Sequence, residues 1–180
     1  MAGERTLAVD CKYLGAGTPG DGVAATTYTQ YPEIHEDTIV FNFADGTQVQ
    51  FRAMGQKDPW AVISRITDVS SIEFAIPSPK AQEQVDFMGG TATGEKWEAP
   101  VEIPKIIKSI KMQTADYQGK YVEYVIPKAE IFARLSQAPG VEQTDLMLVR
   151  ATVVTPITSA GVRKSSFSRE VKTVDAEAGG

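Results

Sequence analysis

The chain has 180 residues, 42% of them hydrophobic and 23% charged, enough for one domain with a real core. One cysteine and one histidine cannot close an intramolecular disulfide or supply the four ligands of a structural zinc site, so the fold must rest on packing. With 18 basic residues against 23 acidic ones the net charge is -5, which argues against a protein that grips nucleic acid by neutralising phosphates.

The first ten residues include Glu4 and lack the apolar core of a signal peptide, so export by that route is not expected. No stretch approaches the ~20 apolar residues of a membrane span. Residues 1–35 are rich in Gly, Thr and Pro and read as an extended N-terminal arm with few core residues. Alternation over 38–43 and 47–52 on either side of Asp45 and Gly46 predicts a hairpin, with Ile39, Phe41 and Phe43 on one face beside Val49 and Phe51. Asp58 and Pro59 are good opening residues for a short helix through Ile63. Residues 71–76 alternate as a strand that Pro77 and Pro79 stop. Residues 80–88 have helical spacing at Ala81, Val85 and Met88, and Gly89 and Gly90 end them.

The segment 91–104 reads as an exposed connection with one aromatic anchor, Trp97, and 77–104 as a whole as a long loop and helix insertion in a single domain. Beyond it the chain predicts strands over 106–114, 120–126, 129–135 and 146–155, with a turn at 117–119. Residues 129–135 have helix-favouring composition but period-two alternation, and the neighbouring strands decide for strand. The last strand is apolar on both faces, which predicts cover on two sides by a second layer or another subunit.

Little in this inventory does chemistry. His35, beside Glu33, Glu36 and Asp37, would favour its protonated form, and no serine sits in a Gly-x-Ser-x-Gly turn. The same acids lack the array of a calcium loop and read as a solvated acidic segment. Cys11 reads as a small packing residue. The glycines 15, 17 and 20 lack the Lys-Ser/Thr pair of a phosphate-binding loop. Lys105, Lys108 and Lys111, spaced by three, put Lys105 and Lys111 on one strand face and Lys108 on the other, at an edge or interface. Trp60 and Trp97 read as anchors in a core or interface. The chain is expected to be no enzyme and to carry no cofactor and no metal.

Residues 95–156 carry a resemblance. Gly94, Glu95, Trp97 and Pro100 lead into 108–114 and a turn at Gly119; Ile126, Pro127, Lys128, Ala129 and Ile131 follow, and a last strand stops at Pro156. This run resembles the C-terminal half of phage major tail proteins, which build the tail tube. The resemblance implies a mainly β fold: a β-sandwich or rolled, barrel-like sheet with one short flanking helix. It also implies protomers that join into rings, usually of six, stacked as a hollow tube in the virion tail after assembly in the host cytoplasm. The implied partners are further copies of the chain, other tail proteins and, transiently, DNA in the lumen, with no membrane. The interface candidates are Trp97 and Pro100 in the long connection, the three lysines, and the N-terminal arm, whose removal over 1–30 is expected to leave a folded protomer that forms no tubes. Other readings are a capsid decoration protein, a tail terminator or baseplate ring subunit, and a monomeric carbohydrate-binding β-sandwich.

Overall fold

Nearly half of the chain forms strands, and these pair antiparallel throughout. The computed structural model describes residues 5–35, 37–66 and 68–174. In chain order these form β1 (Cys11–Gly17), β2 (Thr29–Gln30), β3 (Val40–Asn42), β4 (Gly46–Phe51), β5 (Ala61–Ile66) and β6 (Ser71–Pro77). There follow α1 (Ala81–Met88), β7 (Thr91–Thr93), β8 (Lys96–Glu98), β9 (Ile106–Thr114), β10 (Lys120–Gln137), β11 (Leu146–Val153) and β12 (Ser168–Thr173). The fold is mainly β with one short helix, as expected.

Seven strands follow the order β2-β1-β9-β10-β11-β6-β3, and β12 joins the same sheet through β10. The long β10 organises it. Its residues 120–125 pair with β12 and its residues 129–137 with β11, while β9 runs along the opposite edge. Pro127 has no N–H to give, and the β9 register shifts between Ile126 and Ala129, so the strand changes partner at an irregularity that proline enforces.

The sheet rolls. Tyr31 donates its backbone N–H to Leu14 O on β1 at 2.9 Å, and His35 donates its own to Ala75 O on β6, also at 2.9 Å. Four residues span at most about 14 Å, so strands far apart in the sheet order lie close in space. The helix α1 packs beside this junction: Phe87, its buried residue, lies 4.8 Å from the Tyr31 ring and 5.8 Å from Phe74 on β6. Glu83 Oε2 accepts the Lys80 N–H at 2.9 Å to start the helix, and Gly89, at φ +75°, ends it. The core gathers Leu14 and Ala16, Phe74 and its β6 neighbours, Ile110 and Met112, Ile126 and Ala129, and Met147, Val149 and Ala151.

Three expectations need correction. The N-terminal third is no free arm, because β1 lies inside the sheet and Leu14, Ala16 and Tyr31 are buried; Met1 to Glu4 lie outside the described residues. Gly15 and Gly17 are accordingly strand residues, and a Cβ at Gly17 would strike Thr27 O. The hairpin expected around Asp45 and Gly46 does not form: β3 pairs with β6 (Phe41 opposite Ile72) and β4 pairs with β5. Aromatic packing of Phe41 on Tyr124, centroids 5.4 Å apart, outweighs the local turn preference. Residues 61–66 are strand rather than helix, since Val62, Ile63 and Ile66 are stiff, β-branched side chains that suit a pleat. β11 is covered within the chain on one face only: Met147, Val149 and Ala151 are buried, whereas Leu148 is half-buried and Arg150 exposed. In addition, residues 120–126 and 129–135 belong to one strand, 91–98 forms the small β7–β8 hairpin, and β12 has no counterpart in the sequence reading.

Candidate assembly surfaces

Strands β4 and β5 form a two-stranded hairpin inserted between β3 and β6. Its feet are tied where the Ala44 N–H donates to Ser70 Oγ at 3.2 Å, and the Trp60 backbone N–H donates to Phe51 O at 2.9 Å to close the ladder near the tip. Directly opposed pairs share a face. One face therefore carries Thr47 with Arg65, Val49 with Ile63 and Phe51 with Ala61; the other carries Gly46 with Ile66, Gln48 with Ser64 and Gln50 with Val62. The first face is the more continuously apolar, with Val49, Ile63 and Phe51 adjacent and the Trp60 ring 6.1 Å from Phe51, whereas on the second Val62 and Ile66 are separated by glutamines and a serine.

Among the described residues this apolar face is unpartnered. Val49, Phe51 and Ile63 are exposed and Trp60 is 71% exposed, so Trp60 is not the core anchor its size suggests. The substantial contacts of β4 and β5 are with each other, so the hairpin projects from the body. A two-stranded hairpin alone in water is marginal at best, and a contiguous exposed apolar patch on a projecting element marks an interaction site. Arg52, Lys57 and Arg65 against Asp58 also make residues 46–66 net basic in an acidic chain.

At the hairpin's base Phe43 stacks on Phe41 at 5.6 Å and meets Phe167 edge-on at 5.0 Å, with Tyr124 joining the cluster. Beside it lies a cleft of about 380 Å³ floored by Cys11, Ile34, Ile39, Phe41, Met112 and Tyr124, with Asp10, His35 and Asp37 among its lining. A second cleft, of about 230 Å³, lies by α1 between Trp97 to Pro104 and Ile131 to Ala133.

The five residues singled out in the sequence do not form one surface. Trp97 and Pro100 both line the second cleft, and the Trp97 indole N–H donates to Gly89 O at 2.8 Å, so this tryptophan fastens the β7–β8 hairpin to the end of α1. Gly90, at φ +91°, permits that approach, because a Cβ there would strike Glu98 O. Lys105 is exposed just before β9, and Lys108 is half-buried opposite Ala129. Lys111 is engaged inside the protomer: its Nζ lies 3.3 Å from Glu123 Oε2 and 5.3 Å from the Tyr28 ring centroid.

Glu123 is a buried carboxylate that joins three strands. Lys172 of β12 donates to Oε1 at 2.5 Å and Gln113 of β9 to Oε2 at 2.7 Å, with Lys111 beside them. Burial alone would raise its pKa, but Lys172, Gln113 and Lys111 together hold it below the ordinary glutamate value. The Cys11 thiol is pushed up, mainly by burial, and donates to Tyr13 O at 3.4 Å, as fits a packing residue. His35 is exposed on the lining of the larger cleft, and Glu36 lies outside the described residues. Among the described residues no group of three or more His, Cys, Asp or Glu is placed to hold a metal, and no helix is long and apolar enough to cross a membrane.

Sequence reasoning misses the hairpin's apolar face. Its signal is present as alternation over 47–51 and a β-branched run at Val62 and Ile63 beyond a connection holding Gly55 and Pro59, but the turn at Asp45 assigns 47–51 to the wrong partner strand. No known family model matches the chain, and no curated protein matches its sequence.

Proposed function

We propose that the protein is a structural subunit that polymerises with copies of itself, specifically as the subunit of stacked rings that form a hollow tube of the phage-tail type for passage of DNA. The observation that carries this reading is the projecting β4–β5 hairpin with its unpartnered apolar face. A projecting hairpin of this kind gains stability only when that face is covered. Two further features support it. The outer edge of the exposed β12 and the half-covered β11 are surfaces that a ring of subunits can pair or bury. The net charge of -5 suits a conduit that must not bind the polyanion it conducts.

The mechanism is mechanical and electrostatic. Association buries the hairpin face, ring closure satisfies strand edges, and acidic residues toward the channel let DNA slide. Light scattering behind size-exclusion chromatography tests self-association directly. The expected result is a mass well above 19.5 kDa that rises with concentration. A monomer at every concentration counts against polymerisation and favours a monomeric binding module such as the carbohydrate-binding alternative.

A further inference from the structure

The projecting hairpin raises a specific question of where its apolar face goes, and the two clefts described above are candidates. They differ in volume and in charge. The cleft by Trp97 is the smaller, at about 230 Å³, and has Glu102 as its ionisable lining residue. The cleft over Met112 and Tyr124 is about 380 Å³, with an apolar floor and two aspartates, Asp10 and Asp37, on its lining. On the hairpin, Arg65 stands on the same face as Val49 and Ile63, while Arg52 donates to Gln50 Oε1 at 2.9 Å on the other face. An apolar face edged by Arg65, on a net basic hairpin, matches an apolar floor edged by carboxylates, and opposite charges at the rim fix register while suppressing wrong pairings.

We infer that the hairpin of one copy docks in the Met112–Tyr124 cleft of a second copy, with Val49, Phe51 and Ile63 facing the apolar floor and Arg65 near Asp10 and Asp37. The occupant is a second copy because the hairpin's own contacts are within itself, so its apolar face leaves its own cleft unfilled. The hairpin and the cleft are different surfaces, so the contact is head-to-tail: each copy gives a hairpin and receives one, which generates closed rings or open filaments rather than a two-fold dimer. This inference rests on the self-assembly reading above and names the contact that drives it.

Cys11, the chain's one cysteine, lines the cleft and serves as a built-in reporter. The experiment is oxidation of purified full-length Ile63→Cys with copper phenanthroline and air, beside Ser64→Cys, whose new thiol is on the opposite hairpin face. Products are read by denaturing gel and by mass spectrometry of linked peptides, with electron microscopy of the same samples. Docking predicts a disulfide between Cys11 of one chain and the thiol introduced at position 63 of another, a ladder of trimers and larger species, and at least tenfold less linkage of Cys11 to the thiol introduced at position 64. Rings or tubes in the microscope without linkage between positions 11 and 63 overturn the docking while leaving self-assembly standing. A linkage from position 64 as strong as that from 63 overturns the assignment of the apolar face. Protein that stays monomeric at every concentration overturns both the docking and the reading on which it rests.

Discussion

Val49 and Ile63 stand directly opposite each other across the β4–β5 ladder, and both are exposed to solvent. In a folded β protein such a pair normally faces a core. Here it faces outward on an element that projects from the body, which makes the hairpin the point where stability and assembly separate.

Replacing both residues, Val49→Ser with Ile63→Ser, removes exposed apolar surface and little internal packing. Each change is expected to alter protomer stability by no more than about 0.5 kcal/mol, as for other surface positions, while self-association is lost. Thermal unfolding and light scattering on one preparation check both halves. A double variant that still assembles removes the hairpin from the account.

Deletion of residues 1–30 is expected to abolish folding rather than assembly alone, because it takes out β1 and β2 and with them Leu14 and Ala16 of the buried core. The single change Leu14→Ala should cost about 3 kcal/mol, within the range for deleting a buried leucine side chain. Urea denaturation followed by circular dichroism reads the loss; a cost under about 1 kcal/mol shows that β1 is dispensable to the core.

Glu123 predicts a defined acid limb. Its pKa is lowered in the folded protein, so its contribution is fully present above the ordinary value of 4.5 and is lost as the pH falls through the lower folded value. Glu123→Gln should cost about 1–3 kcal/mol at neutral pH and flatten the fall in stability between pH 5 and about 2. Because Lys172 reaches Glu123 from β12, the protection of β12 amides, measured against their intrinsic exchange rate at each pH, should fall first on acidification. Parallel acid limbs for the two proteins contradict this.

Trp97→Phe keeps an aromatic ring and deletes the N–H that Gly89 O accepts. The expected cost is about 1 kcal/mol, that of one hydrogen bond, with assembly unchanged. A variant of normal stability that no longer assembles places Trp97 at an interface between copies, as the sequence alone suggests.

How much of this is legible in the sequence follows from the range of each signal. Strand β6, helix α1 and the turn at Tyr117 to Gly119 are readable because proline, helix-stop glycines and turn residues act within a few positions. The hairpin at Asp45 misleads because a local turn signal says nothing about Tyr124 and Phe167, which draw Phe41 and Phe43 onto the body. β1 reads as an arm because its glycines and the threonines after it resemble a loop, whereas its partner strand β9 lies far along the chain. Glu123 cannot be picked from other glutamates, since its three donors come from β9 and β12. Of the candidate site, the residue types are visible and the pairing that makes one hairpin face apolar is not.

Electron microscopy of the purified full-length protein at high concentration tests the central claim most directly. The account predicts closed rings or hollow tubes with a continuous central channel, and their disappearance in the Val49→Ser, Ile63→Ser protein. A field of dispersed particles no larger than one 19.5 kDa chain, unchanged at the highest attainable concentration, would contradict it.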